Sequence, residues 1–177
     1  MRSVIRWFAT GFLSFAFAVP LVGAEEVSSA DVKKTIAAFE FKDPSMKTRF
    51  KRAHGYAVFP TIGKGGLIVG GGAGDGHVFE RGRLLGTASV TQITVGLQAG
   101  VQEFSEVIFF QNKAALDRFT AGKFELSANA SAIIAKAGAS GTADYRDGVV
   151  VFTMAKEGAM VEAAVGGQKF SFQPKVK

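Results

Sequence analysis

Cysteine is absent from the 177 residues, which excludes disulfide staples, thiolate metal sites, cysteine nucleophiles and an acylated lipoprotein cysteine. Histidine is scarce: His54 and His77 are the only two, which leaves little for zinc chemistry. Acid is in the minority, with 15 Asp and Glu against 21 Lys and Arg and a formal charge of +6. Glycine and phenylalanine are abundant instead, at 22 and 17. A chain that is 47% hydrophobic and 20% charged packs a core rather than staying disordered. Its length suits one domain.

The first residues read as processing information. Arg2 and Arg6 precede an apolar stretch from Trp7 to Val19, and Val22-Gly23-Ala24 supplies the small residues that a signal peptidase reads. The alternative, a retained anchor, meets a stretch shorter than the roughly 20 residues a spanning helix needs, with Pro20 interrupting its end. The expectation is a cleavable signal over residues 1–24 and a single domain over 25–177. Removing Arg2 and Arg6 and no acid lowers the formal charge from +6 to +4. A mildly basic exported chain, periplasmic or envelope-associated, meets phospholipid headgroups far more often than nucleic acid. The expected partner is therefore an anionic membrane surface, and no nucleic acid.

Residues 28 to 54 carry helical periodicity. Ser28 or Ser29 suits an N-cap, Asp31 the first turn, and Val32, Ile36 and Phe39 form one apolar stripe. Asp43-Pro44 restarts the chain as a second helix, with Asp43 as cap. At 100° per residue, Met46, Phe50 and Ala53 share one side while Lys47, Arg49, Lys51 and Arg52 fan across the other. From Gly55 the pattern changes to short strands and glycines, eight of them between residues 63 and 76. Such glycines permit close approach of two segments, as at bulges and tight turns. Arg81-Gly82 reads as a turn between Val78-Phe79 and Leu84-Leu85. Strand-like stretches follow at 89–101 and 106–110, then a helix capped by Asn112 that runs through Phe119. Residues 124–137 read as helix or irregular chain. The stretches 149–154, 160–165 and 169–172, parted by Gly158 and Gly166-Gly167, read as a closing antiparallel meander. The fold class expected is α+β: a twisted, mainly antiparallel sheet, curling toward a barrel, with N-terminal and middle helices packed on it.

The glycine run fits neither phosphate-cradling motif. Lys64 stands at its start, with no Lys-Ser or Lys-Thr after it, so the Walker pattern fails. No frame gives Gly-x-Gly-x-x-Gly, since frames from Gly70, Gly72 or Gly74 end on Asp75, His77 or Phe79. There is no Gly-x-Ser-x-Gly elbow and no His-Glu-x-x-His pair. No catalytic residue, metal ligand or cofactor site is assigned, and the chain is expected not to be an enzyme.

The string Ala53-His54-Gly55-Tyr56-Ala57-Val58-Phe59-Pro60, then Gly63-Lys64-Gly65-Gly66, the glycines of 70–76, and Gly96-Leu97-Gln98-Ala99-Gly100-Val101-Gln102 stand in the order seen in SYLF domains. Val149 to Phe152, Gly158-Ala159-Met160 and Gly167 to Phe170 resemble the closing strands of that family. The resemblance covers roughly residues 30–172 and implies binding of phospholipid or phosphoinositide, with actin regulation reported for eukaryotic relatives. Thr87-Ala88-Ser89-Val90 departs from the Trp-Ser-x-Pro type segment of eukaryotic members, and an exported protein does not meet actin in its own cell.

Residue chemistry points the same way, because a basic helix in a Phe-rich chain can place cations on lipid phosphates while rings enter the headgroup boundary. The expected headgroup contacts are Lys47, Arg49, Lys51, Arg52 and Lys64. The competing expectation is an envelope scaffold that self-associates through its Gly-rich strands into a homo-oligomer. An enzyme with an unrecognised site would instead show buried polar side chains around a pocket.

Overall fold

The computed structural model describes residues 27–126, 133–134, 136 and 138–176, with backbone alone for 97–98, 133–134 and 157–166. The expected signal segment lies outside the described residues, as does most of 127–137.

Helix α1 spans Ser29–Lys42 and is capped by Ser28, whose Oγ accepts from the Asp31 N–H at 3.1 Å and donates to the Asp31 carboxylate at 2.6 Å. Val32, Thr35 and Phe39 are buried on its inner stripe, and Ile36 packs beside them. Helix α2 is shorter than the charge pattern suggested, Met46–Arg52. Pro44 lies before it, and Ser45 occupies the cap position without a side-chain cap bond.

The strands nest. β1 (Gly55–Gly66) and β2 (Val69–Glu80) form a hairpin, joined to β3 (Arg83–Phe110) by the Arg81-Gly82 turn, both of whose residues have positive φ. β3 runs along the free edge of β2 from Glu80↔Arg83 to Val69↔Val95, rounds the hairpin tip, and returns along the free edge of β1 from Gly66↔Gly100 to Gly55↔Phe110. Gly96 and Gly100, at φ +143° and +123°, take that corner in backbone conformations closed to most side chains. β6 (Val149–Pro174) follows β3 around the same bend, from Phe110↔Val149 to Gly86↔Pro174. The expected meander of three strands is therefore one strand. Its glycines are absorbed into the ladder because β3 supplies a partner on both sides of each. Likewise the two stretches expected at 89–101 and 106–110 belong to one strand. The two-residue strands β4 (Glu125–Leu126) and β5 (Ile133–Ile134) add to β6, the latter in parallel.

The result is an α+β fold with a curled half-barrel sheet, antiparallel apart from β5. Gly76 shows why β2 is glycine-rich: a β-carbon there would meet the Val58 carbonyl and the Phe59 ring, beside the register shift in β1. The inner face of the curl holds Ala57, Phe59, Ile62, Val90, Ile108, Phe110 and Phe170. Its base is closed by α3 (Lys113–Thr120), which Asn112 caps through a 2.9 Å bond from the Ala115 N–H. Phe119 of α3 meets Phe110 at 5.0 Å and Phe170 at 5.2 Å between ring centroids. The outer face of β1, β3 and β6, with Tyr56, Val58, Val107, Phe109 and Phe152, is covered by α1 and α2. A single turn of helix, α4 (Ala139–Thr142), packs on α2.

Candidate functional site

α2 is held to the sheet by one aromatic residue. Phe50 meets Tyr56 edge-on at 5.0 Å and Phe109 at 4.8 Å, and Tyr56 stacks on Phe79 at 4.9 Å. With Phe50 facing the sheet, the helical repeat turns Lys47 and Lys51 to its flanks, where both are exposed. They line a cavity of about 820 Å³ together with Arg52, with His54 and Tyr56 from the start of β1, with Arg81 from the β2–β3 turn, and with Ile36 and Glu40 from α1. Four permanent cations thus border the cavity against the single carboxylate of Glu40. The His54 ring lies 3.0 Å from the Glu80 carboxylate, and the Arg81 N–H donates to the His54 carbonyl at 3.0 Å, tying the turn to the end of α2. Burial, followed by the charge of Glu40, pushes the Tyr56 hydroxyl above the ordinary phenol value. It stays protonated and able to donate.

Chemically the cavity suits an anion that carries an apolar neighbour: guanidinium and ammonium donors stand over a floor of rings. Among the described residues no three of His, Asp and Glu gather as metal ligands.

The five residues expected as headgroup contacts separate into three groups. Lys47, Lys51 and Arg52 share the cavity. Arg49 faces the other way and is half-buried. Its guanidinium donates to the carbonyls of Ser140 and Ala143, the latter at 2.7 Å, and lies 5.2 Å from the Tyr145 ring centroid and 5.5 Å from that of Phe152. It pins α4 to α2, so its donors are engaged within the fold. A smaller cavity of about 340 Å³ lies beside it, with Arg52 on its rim as well. Lys64 stands nine residues along β1 from Gly55, paired with Gly72 and Gln102, which places it about 30 Å toward the strand tips. It shares no site with α2.

Asp43 also has another role than the expected helix cap. Its buried carboxylate accepts from the Ser45 N–H at 3.0 Å, the Ser45 hydroxyl at 2.6 Å, the Gly138 N–H at 3.2 Å and the Ser140 N–H at 2.6 Å. Burial pushes its pKa up, but these bonds outweigh burial and hold it below the ordinary carboxylate value. The residue that sequence reasoning missed is Arg81, assigned only as part of a turn. A signal was present: a primed two-residue turn favours Asn or Gly at its first central position, and an arginine held at φ +48° sits there against propensity.

A model of the family described as Las17-binding protein actin regulator matches residues 91–176. The matched stretch is similar to this family, the same SYLF family that the motifs resemble. It runs from the middle of β3 through α3 to the end of β6, so it covers the outer wrap of the sheet and leaves α1, α2 and the cavity's lysines outside it. Of the motifs that suggested the SYLF resemblance, the segment Gly96 to Gln102 and the closing strands lie inside the match. The stretches at 53–60, 63–66 and 70–76 lie before it. Beta cell expansion factor A of Aeromonas veronii is 29% identical over 131 residues, 73% of this chain and 49% of that protein. The chain spans about half the length of that relative.

Proposed function

We propose that this SYLF domain is a non-catalytic phospholipid-binding module of the bacterial cell envelope, exported by residues 1–24, and that it takes anionic headgroups, phosphoinositide-like or simpler, into the cavity beside α2. The observation that carries this reading is the convergence of Lys47, Lys51, Arg52 and Arg81, from two separate elements, on one ring-floored cavity. Each basic residue near an anionic surface contributes about 1 kcal/mol, enough in sum for reversible binding. Co-sedimentation of the protein with phosphatidylcholine vesicles of graded phosphatidylglycerol content tests it. Binding is expected to rise with anionic lipid and to fall with salt, as the Debye length shrinks from about 10 Å at 0.1 M. Reversing Lys47, Lys51 and Arg52 to Glu is expected to lower partitioning at least about 100-fold. Binding indifferent to lipid charge, or undiminished in the triple variant, defeats the reading.

A second reading, self-association of an envelope scaffold, is favoured by a different observation. At the strand-tip end, Leu67, Ile68, Val69, Ile93, Val95 and Val101 are each more than half exposed, from 57% to 70%, and Val69 and Val95 are cross-strand partners. Sedimentation velocity at rising concentration is expected to show oligomers that Val69→Asp with Val95→Asp disperses. A strictly monomeric profile removes this reading and leaves the first untouched.

A further inference from the structure

Glu106 is a buried carboxylate on the inner face of the half-barrel, and no ion pair to it is found among the described residues. It lies on the returning limb of β3, in the same row parity as Ile108 and Phe110, and is 1% exposed. Its Oε2 accepts from Gln168 Nε2 at 3.1 Å. Gln168 belongs to the far limb of β6, paired with Gln92 on the outgoing limb of β3. The outgoing limb of β3 and strands β2 and β1 separate the two residues in the ladder, so the bond spans the lumen and not a pair of neighbours. Phe59 of β1 and Phe170 of β6 make the same crossing, 5.7 Å between centroids. The curl is thus held shut by side chains, since no backbone ladder joins these limbs directly among the described residues.

The other Glu106 oxygen, Oε1, has no hydrogen-bond partner, and neither has Gln92 Oε1. Two buried acceptors without donors are what a missing proton looks like: a protonated carboxyl becomes a donor as well as an acceptor. We propose that Glu106 and Gln168 form a proton-dependent latch across the half-barrel, shut while the Glu106 carboxyl is protonated and loosened when it ionises.

The electrostatics agree. Burial pushes the Glu106 carboxyl up to about 7, against a smaller downward pull from the Gln168 bond. The side chains that share its lumen, Gln168 from β6, Gln92 from β3 and Phe59 from β1, are neutral. Of the charged side chains on the strands around it, Glu125 of β4 lies 3.4 Å from Lys169 and Lys156 of β6 donates to the Thr61 hydroxyl at 2.7 Å. The folded-state pKa is raised, so the closed state binds the extra proton. Its advantage is full below the unfolded value of 4.5 and is lost as pH rises through about 7. An ionised carboxylate with one hydrogen bond is costly in an apolar lumen, and parting the 165–174 limb of β6 from β1 admits water. Opening exposes the ring cluster of Phe59, Phe119, Phe124 and Phe170.

Hydrogen exchange of the amides in 165–174, corrected for intrinsic rates and followed from about pH 5 to 8.5, reads the latch. Protection in the wild type is expected to fall roughly 100-fold across that window, as the raised pKa dictates, with dye binding to the exposed rings rising in parallel. Glu106→Gln keeps the shape and the hydrogen bond and removes the titration, so its protection is expected to stay flat. A wild type with no pH dependence, or a Glu106→Gln variant that keeps it, overturns the proposal. Should the variant misfold, carbon-13 titration of the Glu106 carboxyl in the wild type decides alone: a midpoint near 7 supports the latch and one near 4.5 sinks it.

Discussion

Phe59→Ala is expected to cost about 3–5 kcal/mol of folding stability, the range for truncating a fully buried aromatic, measured by urea unfolding monitored in the far ultraviolet. The residue is 0% exposed, and it does two things that a generic core phenylalanine does not. Its ring crosses the lumen to Phe170, and it forms part of the wall that β2 approaches at Gly76. Truncation therefore opens a cavity at the point where the two limbs of the curl meet. The midpoint is expected to fall with the denaturant slope nearly unchanged. A loss below about 1.5 kcal/mol would mean that the lumen collapses onto the gap and that the inner face is less tightly packed than the ring contacts imply.

Asp43→Ala is expected to cost about 3 kcal/mol, because hydrogen bonds to a charged acceptor are worth roughly 1.5–3 kcal/mol each and donors left unpaired in a buried place add their own penalty. Four donors converge on this carboxylate, and two of them, the Gly138 and Ser140 N–H groups, lie about 95 residues away in sequence. The loss should be local before it is global. α4 loses the carboxylate's tie to the α1–α2 junction, and only Arg49 and the 2.7 Å contact between the Ser45 and Ser140 hydroxyls are left of the hydrogen bonds described for it there. Hydrogen exchange at 138–143 is the sensitive readout. The folded-state pKa of Asp43 lies below the ordinary carboxylate value of 3.8, so its contribution is present above that value and is lost as pH falls through the folded value. Glu106 acts from the opposite side, losing its contribution as pH rises from 4.5 to about 7. The wild type should be most stable in the mildly acidic interval between them, and Asp43→Ala should flatten only the acid limb.

What the sequence made legible was what neighbours along the chain decide. The Ser28 and Asn112 caps, the stripe of Val32 and Phe39 and the Arg81-Gly82 turn each depend on residues within one helical turn or one hairpin, and the structure has each in place. The bends of β3 and β6 were not legible. Gly158 and Gly166-Gly167 carry the same local signal as chain-reversing turns, and only the partner strand, 56 to 74 residues earlier, tells a bend in a ladder from the end of a strand. The site divides in the same way. Helical periodicity brings Lys47 and Lys51 to one cavity. It also placed Arg49 among them, because the carbonyls that capture its guanidinium lie 91 and 94 residues downstream. Lys64 was grouped by charge alone, and β1 carries it to the other end of the sheet. Arg81 was hidden by its turn.

The nesting of the strands also sets an order on assembly. β6 comes after the other described strands and supplies 25 paired positions along β3, so until residues 149–174 have left the ribosome or a translocation pore the outer edge of β3 lacks that partner. A partly made chain is an open-edged apolar sheet, the form most prone to pair with its neighbours. The segment that completes the fold is also the one that shields it.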